Sequence, residues 1–324
     1  MPIPFTNRDG FDSNEEVAYL RYLISGVAIN KTVIIVPANS AFIRQALNFN
    51  CRMRSLGVTN VLFWSLDRAS HEILQAYNIV SYYNPTYFSV SGHELYHSVT
   101  YLKMMHQRPR FWRNVMRTGY NMLFMDADIA VIKDPMSAIV GDADLEGQAD
   151  EFWLGWNLME ERCPRMCAGA FYLKANEKSV AMLDYMERLL SQIDREVCEK
   201  PDVTDVDGNR DAICEDQEAL NDFVKNRMVA RLVNRNVTDT FTFEGEDPRL
   251  TVRFVSPFDY LSGHVLSLAT YVFNSTNLQF HDDAGTPYQN FTPTVVHMNG
   301  HRQKEEDMKK FGWWWLNEDL TCAD

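Results

Sequence analysis

The sequence has no long hydrophobic run, although 46% of its 324 residues are hydrophobic. No segment approaches the roughly 20 apolar residues that a helix needs to cross a bilayer. Residues 1–14 are too polar for the apolar region of a signal peptide. We therefore expect a globular chain whose only membrane contact is through an anchor that this chain does not carry.

Positive charge is scarce as well. The chain carries 31 lysines and arginines against 44 aspartates and glutamates, which gives a formal net charge of −13. So acidic a protein repels a phosphate backbone, and this excludes nucleic acid as a large partner. A small anionic ligand would need a metal ion or a local basic pocket.

Glycine-rich phosphate-binding loops are also missing. No Gly-x-Gly-x-x-Gly follows the first predicted strand, and the chain contains no Gly-x-x-x-x-Gly-Lys. These absences exclude the Rossmann dinucleotide site and the P-loop, in which backbone N–H groups cradle phosphates. Phosphates in this protein would have to be held by a metal ion.

The six cysteines are too few for a dense disulfide framework in a chain of this length. Buried free thiols are one interpretation. The other is the lumen of the secretory pathway or Golgi, where Cys198 and Cys214 could bridge a polar loop. Glycosylation acceptors favour that lumen, and they lie at Asn30, Asn236, Asn274 and Asn290. A cytoplasmic enzyme is the alternative.

The rest of the chain alternates apolar strands with amphipathic helices. A β-branched run at 33–36 is closed by Pro37, a helix follows as far as Gly57, and a second strand covers 61–64. This βαβ unit predicts parallel strands with a right-handed connection. Further strands are predicted at 121–125, 129–132, 152–156 and 170–173, helices at 95–102, 111–117 and 183–197, and short extended pieces between 231 and 255.

The most informative segment is the strand at 121–125, which runs straight into Asp126-Ala127-Asp128. Alternation on a strand sends side chains i and i+2 to the same side, so Asp126 and Asp128 can converge on one hard cation. An open parallel sheet binds ligands beyond the carboxyl ends of its strands. Asn39 and Asp67 follow two earlier strand ends, so we expect these polar groups to share one crevice.

Five motifs occur in a distinctive order along the chain. They are the βαβ unit at 33–67; the segment 119–128 with Lys133-Asp134-Pro135; Cys167-Ala168-Gly169-Ala170-Phe171-Tyr172; Asp216-Gln217; and Val296-His297-Met298-Asn299-Gly300. In this order they resemble the nucleotide-diphospho-sugar transferase family of GT-A glycosyltransferases. The resemblance covers roughly residues 32–316; it is greater to glycosyltransferase family 77 and more distant to family 8.

The resemblance implies a fold and a domain plan. The fold is α/β of the GT-A type, with a Rossmann-like, mostly parallel central sheet flanked by helices and a small antiparallel extension. Residues 1–30 would form an N-terminal extension with a lead-in helix, and residues 31–324 a single domain. The nucleotide-binding part would cover about 31–135, and the donor-sugar and acceptor part about 136–324.

The resemblance also implies an enzyme. It would be a metal-dependent glycosyltransferase that moves a sugar from a UDP-linked nucleotide-diphospho-sugar to a hydroxyl of a glycan or glycoprotein acceptor, with retention. Asp126, Asp128 and His297 would hold the ion. An imidazole ligand favours Mn²⁺ over Mg²⁺, because nitrogen is the softer donor.

Further site residues follow from the same resemblance. Asp216 would bond sugar hydroxyls and Gln217 would lie close to the anomeric carbon. Asp67 would accept from a uracil N–H, and Lys304 would lie near the pyrophosphate, with His301 and Arg302 as rivals for that role. The full donor-binding set is Asn39, Ser40, Asp67, Arg110, Ala127, Gly169, Gly300 and Lys304.

Several of these residues have purely structural alternatives. Asp216 can cap its helix, and Gly169 can mark a bend where a strand begins rather than a close approach of the donor sugar. Arg110, with its neighbour Arg108, can cap a short helix instead of binding phosphate. The tryptophans at 313–315 can dock a terminal segment onto the core instead of stacking on acceptor sugars. The run at 205–211 is interpreted as a solvated acidic loop rather than a calcium site.

Two rival functions remain at this level. A haloacid-dehalogenase-like phosphohydrolase also ends a strand in Asp-x-Asp, and His281-Asp282-Asp283 imitates its distal acidic pair. It leaves His297 unexplained. The other rival is a non-catalytic sugar-binding relative. Turnover of a UDP-sugar with Mn²⁺ would select the transferase, and turnover of an aryl phosphate would select the phosphatase.

Overall fold

A computed structural model describes residues 13–87, 89–92, 94, 98–150, 165–192, 214–224, 231–235, 241–244, 250–256, 258–263 and 292–323. The helices are α1 Ser13–Val27, α2 Ile43–Ser55, α3 Arg68–Ala76, α4 Val99–Met105, α5 Arg108–Arg117, α6 Glu177–Gln192, α7 Asp216–Asp222 and α8 Lys304–Lys310. Across these ranges no helix is both long and apolar enough to span a membrane.

The strands are β1 Thr32–Ala38, β2 Val61–Ser65, β3 Ser81–Tyr83, β4 Asn121–Met125, β5 Ile129–Val131, β6 Leu145–Ala149, β7 Met166–Leu173, β8 Arg231–Arg235, β9 Phe241–Glu244, β10 Thr251–Phe254, β11 Tyr260–Ser262 and β12 Val295–His297. The predicted strand at 152–156 and the acidic loop at 205–211 lie outside the described residues. The fold is α/β with a mostly parallel central sheet and a small antiparallel portion, as predicted.

The chain divides into two compact units. The first comprises Met1–Ile43, Asn60–Met122 and Ala175–Ala219; the second comprises Arg44–Thr59, Leu123–Lys174 and Leu220–Asp324.

The first unit contains the parallel strands β3, β2 and β1, in that order. Ile34 pairs with Val61 and Phe63 pairs with Ser81, so the parallel pairing of the first two strands is confirmed. One boundary was wrong, because β1 continues through Pro37, which lies opposite Trp64. Proline removes a single ladder N–H, and so close to the end of a buried strand the remaining pairs hold it in the sheet.

The second unit has strands in the order β4-β7-β6-β10-β9-β8, together with a three-stranded sheet in the order β11-β12-β5. β6 is antiparallel to β7 and parallel to β10, and β9 and β8 continue antiparallel. In the smaller sheet β12 is parallel to β11 and antiparallel to β5. β5 begins three residues after Asp126, so this sheet lies directly beyond the acidic motif.

Strand β6 escapes prediction because its polar side chains are buried. The Glu146 carboxylate accepts the backbone N–H groups of Val140 at 3.0 Å and Gly141 at 2.6 Å. Burial raises the pKa of Glu146, against the effect of these bonds. A Cβ added at Gly147 would lie 2.7 Å from the Met166 sulfur, so the methionine fills the space that a side chain would take.

Helix α2 is fastened to the C-terminal tail. Cys51 and Cys322, 271 residues apart, form a disulfide. The Arg52 guanidinium donates to the carbonyl of Val131 at 3.0 Å and lies 4.7 Å from the centre of the Trp315 ring. The tail therefore has a fixed position over the end of β5.

Trp313 and the cysteines bear on two alternatives left by the sequence. Trp313 is 1% exposed and packs with Val296, Met298 and Met308, so it is a core residue rather than a sugar platform. Cys167 is a buried free thiol, whereas Cys214 is disulfide-bonded. Cys198, the partner predicted for Cys214, lies outside the described residues.

Candidate metal centre

The acidic motif and the late histidine meet in the second unit. Asp126 and Asp128 lie in the turn between β4 and β5, and His297 is the last residue of β12. Antiparallel pairing puts His297 opposite Ile129, and the backbone N–H of Met298 donates to the carbonyl of Asp128 at 3.1 Å. The strand register thus brings together residues far apart in sequence.

The three side chains form one compact group. Each offers a ligand atom, and these atoms all lie within 4.8 Å of one another. The Nε2 atom of His297 is 3.3 Å from Asp128 Oδ1 and 3.8 Å from Asp126 Oδ2. His297 and Asp128 are buried, whereas the side chain of Asp126 is 26% exposed and opens the group on one side. Two carboxylates and an imidazole suit a divalent metal ion with room for further ligands.

Gly169, on β7, leaves the space that this group occupies. A Cβ atom built there would overlap the His297 ring and lie 2.5 Å from Asp126 Oδ2. The backbone cannot move away easily, because the Asp126 N–H donates to the Gly169 carbonyl at 2.8 Å. The described structure therefore gives Gly169 a role beside the candidate ligands, whereas the sequence suggested a close approach of the donor sugar or a strand-entry bend.

Lys304, the first residue of α8, completes the electrostatics. Its ammonium group forms an ion pair with Asp128 Oδ2. Burial would raise the pKa of Asp128, but Lys304 and His297 hold it well below its usual range. Burial opposes a charged His297, but Cys167 and Asp128 raise its pKa well above the ordinary value. A divalent cation would compete with these positive charges for the same carboxylate.

A second layer of side chains supports His297. Its Nδ1 atom lies 3.2 Å from Gln148 Oε1 and 3.4 Å from Cys167 Sγ. Gln148 is a contact that sequence reasoning missed, since it belongs to the unpredicted strand β6. A polar residue in a short, unpredicted strand gives no signal that it faces a histidine 149 positions away.

The turn after β12 is held firmly. The Asn299 carbonyl oxygen Oδ1 accepts the Gly263 N–H at 2.7 Å, and Gly300 adopts a left-handed φ of +79°. His301 Nδ1 is 2.8 Å from Asp307 Oδ2, so His301 is engaged within this turn and α8. Arg302 is exposed. Among the three predicted cations, Lys304 is thus the one that contacts a candidate ligand.

The predicted nucleotide residues of the first unit do lie together. Asp67 caps α3 by accepting the Ser70 N–H at 2.7 Å, and its other oxygen accepts from both the N–H and the hydroxyl of Ser40 at 2.7 Å. Asn39 accepts the Phe42 N–H at 3.0 Å. These bonds join the carboxyl ends of β1 and β2. The only carboxylate of this group is therefore already engaged within the fold.

Asp216 and Arg108 form a buried ion pair in the first unit. Arg108 donates to Asp216 Oδ2 at 3.1 Å, and both side chains are at most 8% exposed. Gln217 is half-buried beside it at the start of α7. Arg110 lies within helix α5 and does not cap it. Its guanidinium is 4.9 Å from the centre of the Tyr87 ring. Ala127 is buried between the two aspartates.

Comparisons with known proteins identify the family of this chain. The model of the nucleotide-diphospho-sugar transferase family matches residues 56–311. A UDP-galactose:fucoside alpha-3-galactosyltransferase from Dictyostelium discoideum is 21% identical over 70% of this chain and 30% of its own length. An arabinosyltransferase from Arabidopsis thaliana is 27% identical over 53% of this chain and 44% of its own. The chain thus spans less than half the length of these two relatives.

A solved structure was also found to be similar. The galactosyltransferase LgtC, crystallised with donor and acceptor sugar analogs, is 15% identical to this chain, with a TM-score of 0.44. The match covers 88% of this chain and 98% of that one.

Proposed function

Because the chain belongs to the nucleotide-diphospho-sugar transferase family, we propose that it is a metal-dependent, retaining glycosyltransferase. The donor is a UDP-sugar, and the acceptor is a hydroxyl of a glycan or glycoprotein. The observation that carries this proposal is the convergence of Asp126, Asp128 and His297 within 4.8 Å of one another. Family membership favours this activity over phosphohydrolysis, and the complete group favours it over mere sugar binding.

The chemistry of the group suits Mn²⁺. The carboxylates supply hard oxygen ligands and His297 supplies a softer nitrogen, a mixture that Mn²⁺ accepts more readily than Mg²⁺. Gly169 keeps the space between Asp126 and His297 open. When bound, the ion would act as a Lewis acid that stabilises charge on the departing diphosphate.

Lys304 has a matching task. Its ammonium forms an ion pair with Asp128. A divalent cation held by Asp128 would take over this neutralisation, and the Lys304 ammonium beside it would then attract a phosphate oxygen of the donor. Lys304 would thus hold the pyrophosphate and assist its departure.

Asp216 would act on the sugar without forming a bond to it. Its pairing with Arg108 orients the carboxylate and engages one of its oxygens in a charge-assisted hydrogen bond. This favours departure and attack on the same face of the sugar, with Asp216 and Gln217 stabilising the positive charge that develops. The anomeric configuration of the product, determined by NMR, tests retention directly.

Two relatives indicate which donors to test first. Their names specify UDP-galactose for one and arabinose transfer for the other. We expect the purified chain with Mn²⁺ to release UDP from one member of a panel led by UDP-galactose and UDP-arabinose. Aryl phosphate would not be hydrolysed. Hydrolysis of aryl phosphate without UDP release would contradict the proposal.

Asp128→Asn tests the metal assignment. The amide keeps the shape of the side chain but loses the charge that binds a cation, so metal-dependent UDP release should disappear while the chain still folds. The thermal midpoint should fall, because Lys304 and His297 lose the carboxylate that they share. Asp319→Asn is the matched control, because this residue is exposed near the C-terminus. Full activity in Asp128→Asn would refute the assignment.

We propose the secretory lumen as the location. The Cys51–Cys322 disulfide needs an oxidising compartment, and Asn30 of one glycosylation acceptor is exposed. A mass shift after glycosidase treatment of the protein from a eukaryotic host would test this.

A further inference from the structure

The two ring nitrogens of His297 face different surroundings. Nε2 points at the carboxylates of Asp126 and Asp128, at 3.8 and 3.3 Å. Nδ1 points the other way, toward Gln148 Oε1 at 3.2 Å and Cys167 Sγ at 3.4 Å. A neutral imidazole has one proton and one lone pair, so whichever nitrogen holds the proton decides which one can bind a metal.

The orientation of Gln148 is set from its far side. Its amide nitrogen donates to the Tyr260 carbonyl at 3.3 Å, and a carbonyl can only accept. The Gln148 oxygen must therefore face His297. Gln148 and Tyr260 are both 0% exposed, so water does not compete for either bond.

A hydrogen bond from the Cys167 thiol would favour the opposite tautomer of His297, with its proton on Nε2. A thiol can donate its S–H to Nδ1, and the ring proton would then sit on Nε2, where it blocks a metal ion. The amide oxygen of Gln148 is the stronger acceptor and draws the proton to Nδ1 instead.

We propose that Gln148 is a positioning residue that selects the Nδ1–H tautomer of His297 and so leaves the Nε2 lone pair for the divalent ion. The inference rests on the proposed metal site but not on the sugar that is transferred. It extends the site by a residue on β6 that makes no contact with donor or metal and acts through the histidine.

Three variants separate the tautomer from simple packing. Gln148→Met keeps the length of the side chain but cannot accept a proton from Nδ1, so Cys167 becomes the nearest polar neighbour. Gln148→Glu restores an acceptor. Cys167→Ala, the matched control, removes the competing thiol and leaves the Gln148 bond intact.

The first measurement is Mn²⁺ affinity by titration calorimetry without nucleotide. Loss of a hydrogen-bond partner of a metal-binding histidine typically weakens metal binding by about 10- to 100-fold, and we expect this for Gln148→Met. Gln148→Glu should recover most of the affinity, and Cys167→Ala should bind at least as tightly as the native chain. Native affinity in Gln148→Met would overturn the proposal, as would equal weakening in Gln148→Glu.

The second measurement reports the tautomer itself. The metal-free chain, labelled with ¹⁵N in histidine, is studied by NMR at an alkaline pH at which His297 carries one proton. The Asp128 carboxylate, 3.3 Å from Nε2, also favours a proton there, so the readout is the fraction of rings that hold the proton on Nδ1. Gln148→Met should lower that fraction relative to the native ring, and Gln148→Glu should raise it. An unchanged fraction in whichever of the two variants folds refutes the proposal. Both readouts are independent of UDP-sugar turnover, so they separate this inference from the proposed reaction.

Discussion

Replacing Gly169 with alanine should distort the proposed metal centre while leaving most of the fold intact. The added methyl group would overlap the His297 ring and lie 2.5 Å from Asp126 Oδ2, so both candidate ligands must move. The hydrogen bond from the Asp126 N–H to the Gly169 carbonyl, at 2.8 Å, prevents β7 from moving away from the ligands. Overpacking of this kind costs about 1–3 kcal/mol. If the ligands bear that cost, Mn²⁺ affinity falls by about 5- to 150-fold.

The matched control is Gly147→Ala on the neighbouring strand. The three atoms nearest to a methyl group there all belong to the Met166 side chain, at 2.7 to 3.1 Å, and a methionine can change rotamer. Calorimetric titration with Mn²⁺ and thermal unfolding would be measured on both variants. Gly169→Ala should lose affinity, whereas Gly147→Ala should keep it with a similar or smaller change in midpoint. If Gly169→Ala binds Mn²⁺ as tightly as the native chain, the proposed displacement of His297 and Asp126 is refuted.

Three further outcomes are expected. Lys304→Met should slow UDP release. Mn²⁺ alone should bind to this variant at least as tightly as to the native chain, because the Lys304 ammonium no longer competes for Asp128. Weaker Mn²⁺ binding would contradict this. Arg108→Met should lower the unfolding free energy by about 3–5 kcal/mol, because it removes the guanidinium that pairs with the buried Asp216 carboxylate, and adding Asp216→Asn should restore stability but not transfer. Cys51→Ala combined with Cys322→Ala should cost about 2–5 kcal/mol in denaturant unfolding; an unchanged midpoint would show that the bridge contributes nothing.

The acidic strand and its surroundings were predictable because their signals are local. Four apolar residues running into Asp-x-Asp predict a buried strand that ends in paired carboxylates, and β4 follows that pattern. Helix α2 was predicted from its spacing at 3.6 residues per turn and from Gly57, which has a left-handed φ of +73° after the helix. Each of these predictions uses residues close together in the chain.

The parts that escaped prediction depend on distant contacts. Strand β6 carries Glu146 and Gln148, which look exposed in the sequence but are buried because Val140, Tyr260 and His297 satisfy them. No local sequence pattern predicts these distant hydrogen-bond partners. The family resemblance supplied His297 as a ligand, but it said nothing of the residue behind it.

The same holds for pairs joined across the chain. The partner of Asp216 lies 108 residues away, and the Cys51–Cys322 bridge spans 271. Spacing alone suggested Cys198 and Cys214 as a pair and missed the bridge to the tail. Pairings of this range are decided by the packing of whole elements, which a single sequence does not display.

Helix α8 has only seven residues, and a helix of two turns has no stable shape in water by itself. Its location is therefore set by the packing of its own Met308 against Val296, Met298 and Trp313, and by the Arg44–Glu305 pair at 2.9 Å. The position of the Lys304 ammonium, at the start of α8, therefore depends on how rigidly these residues pack. Resizing the residues packed under α8 should therefore move the Lys304 ammonium relative to Asp128 without changing either of these two residues.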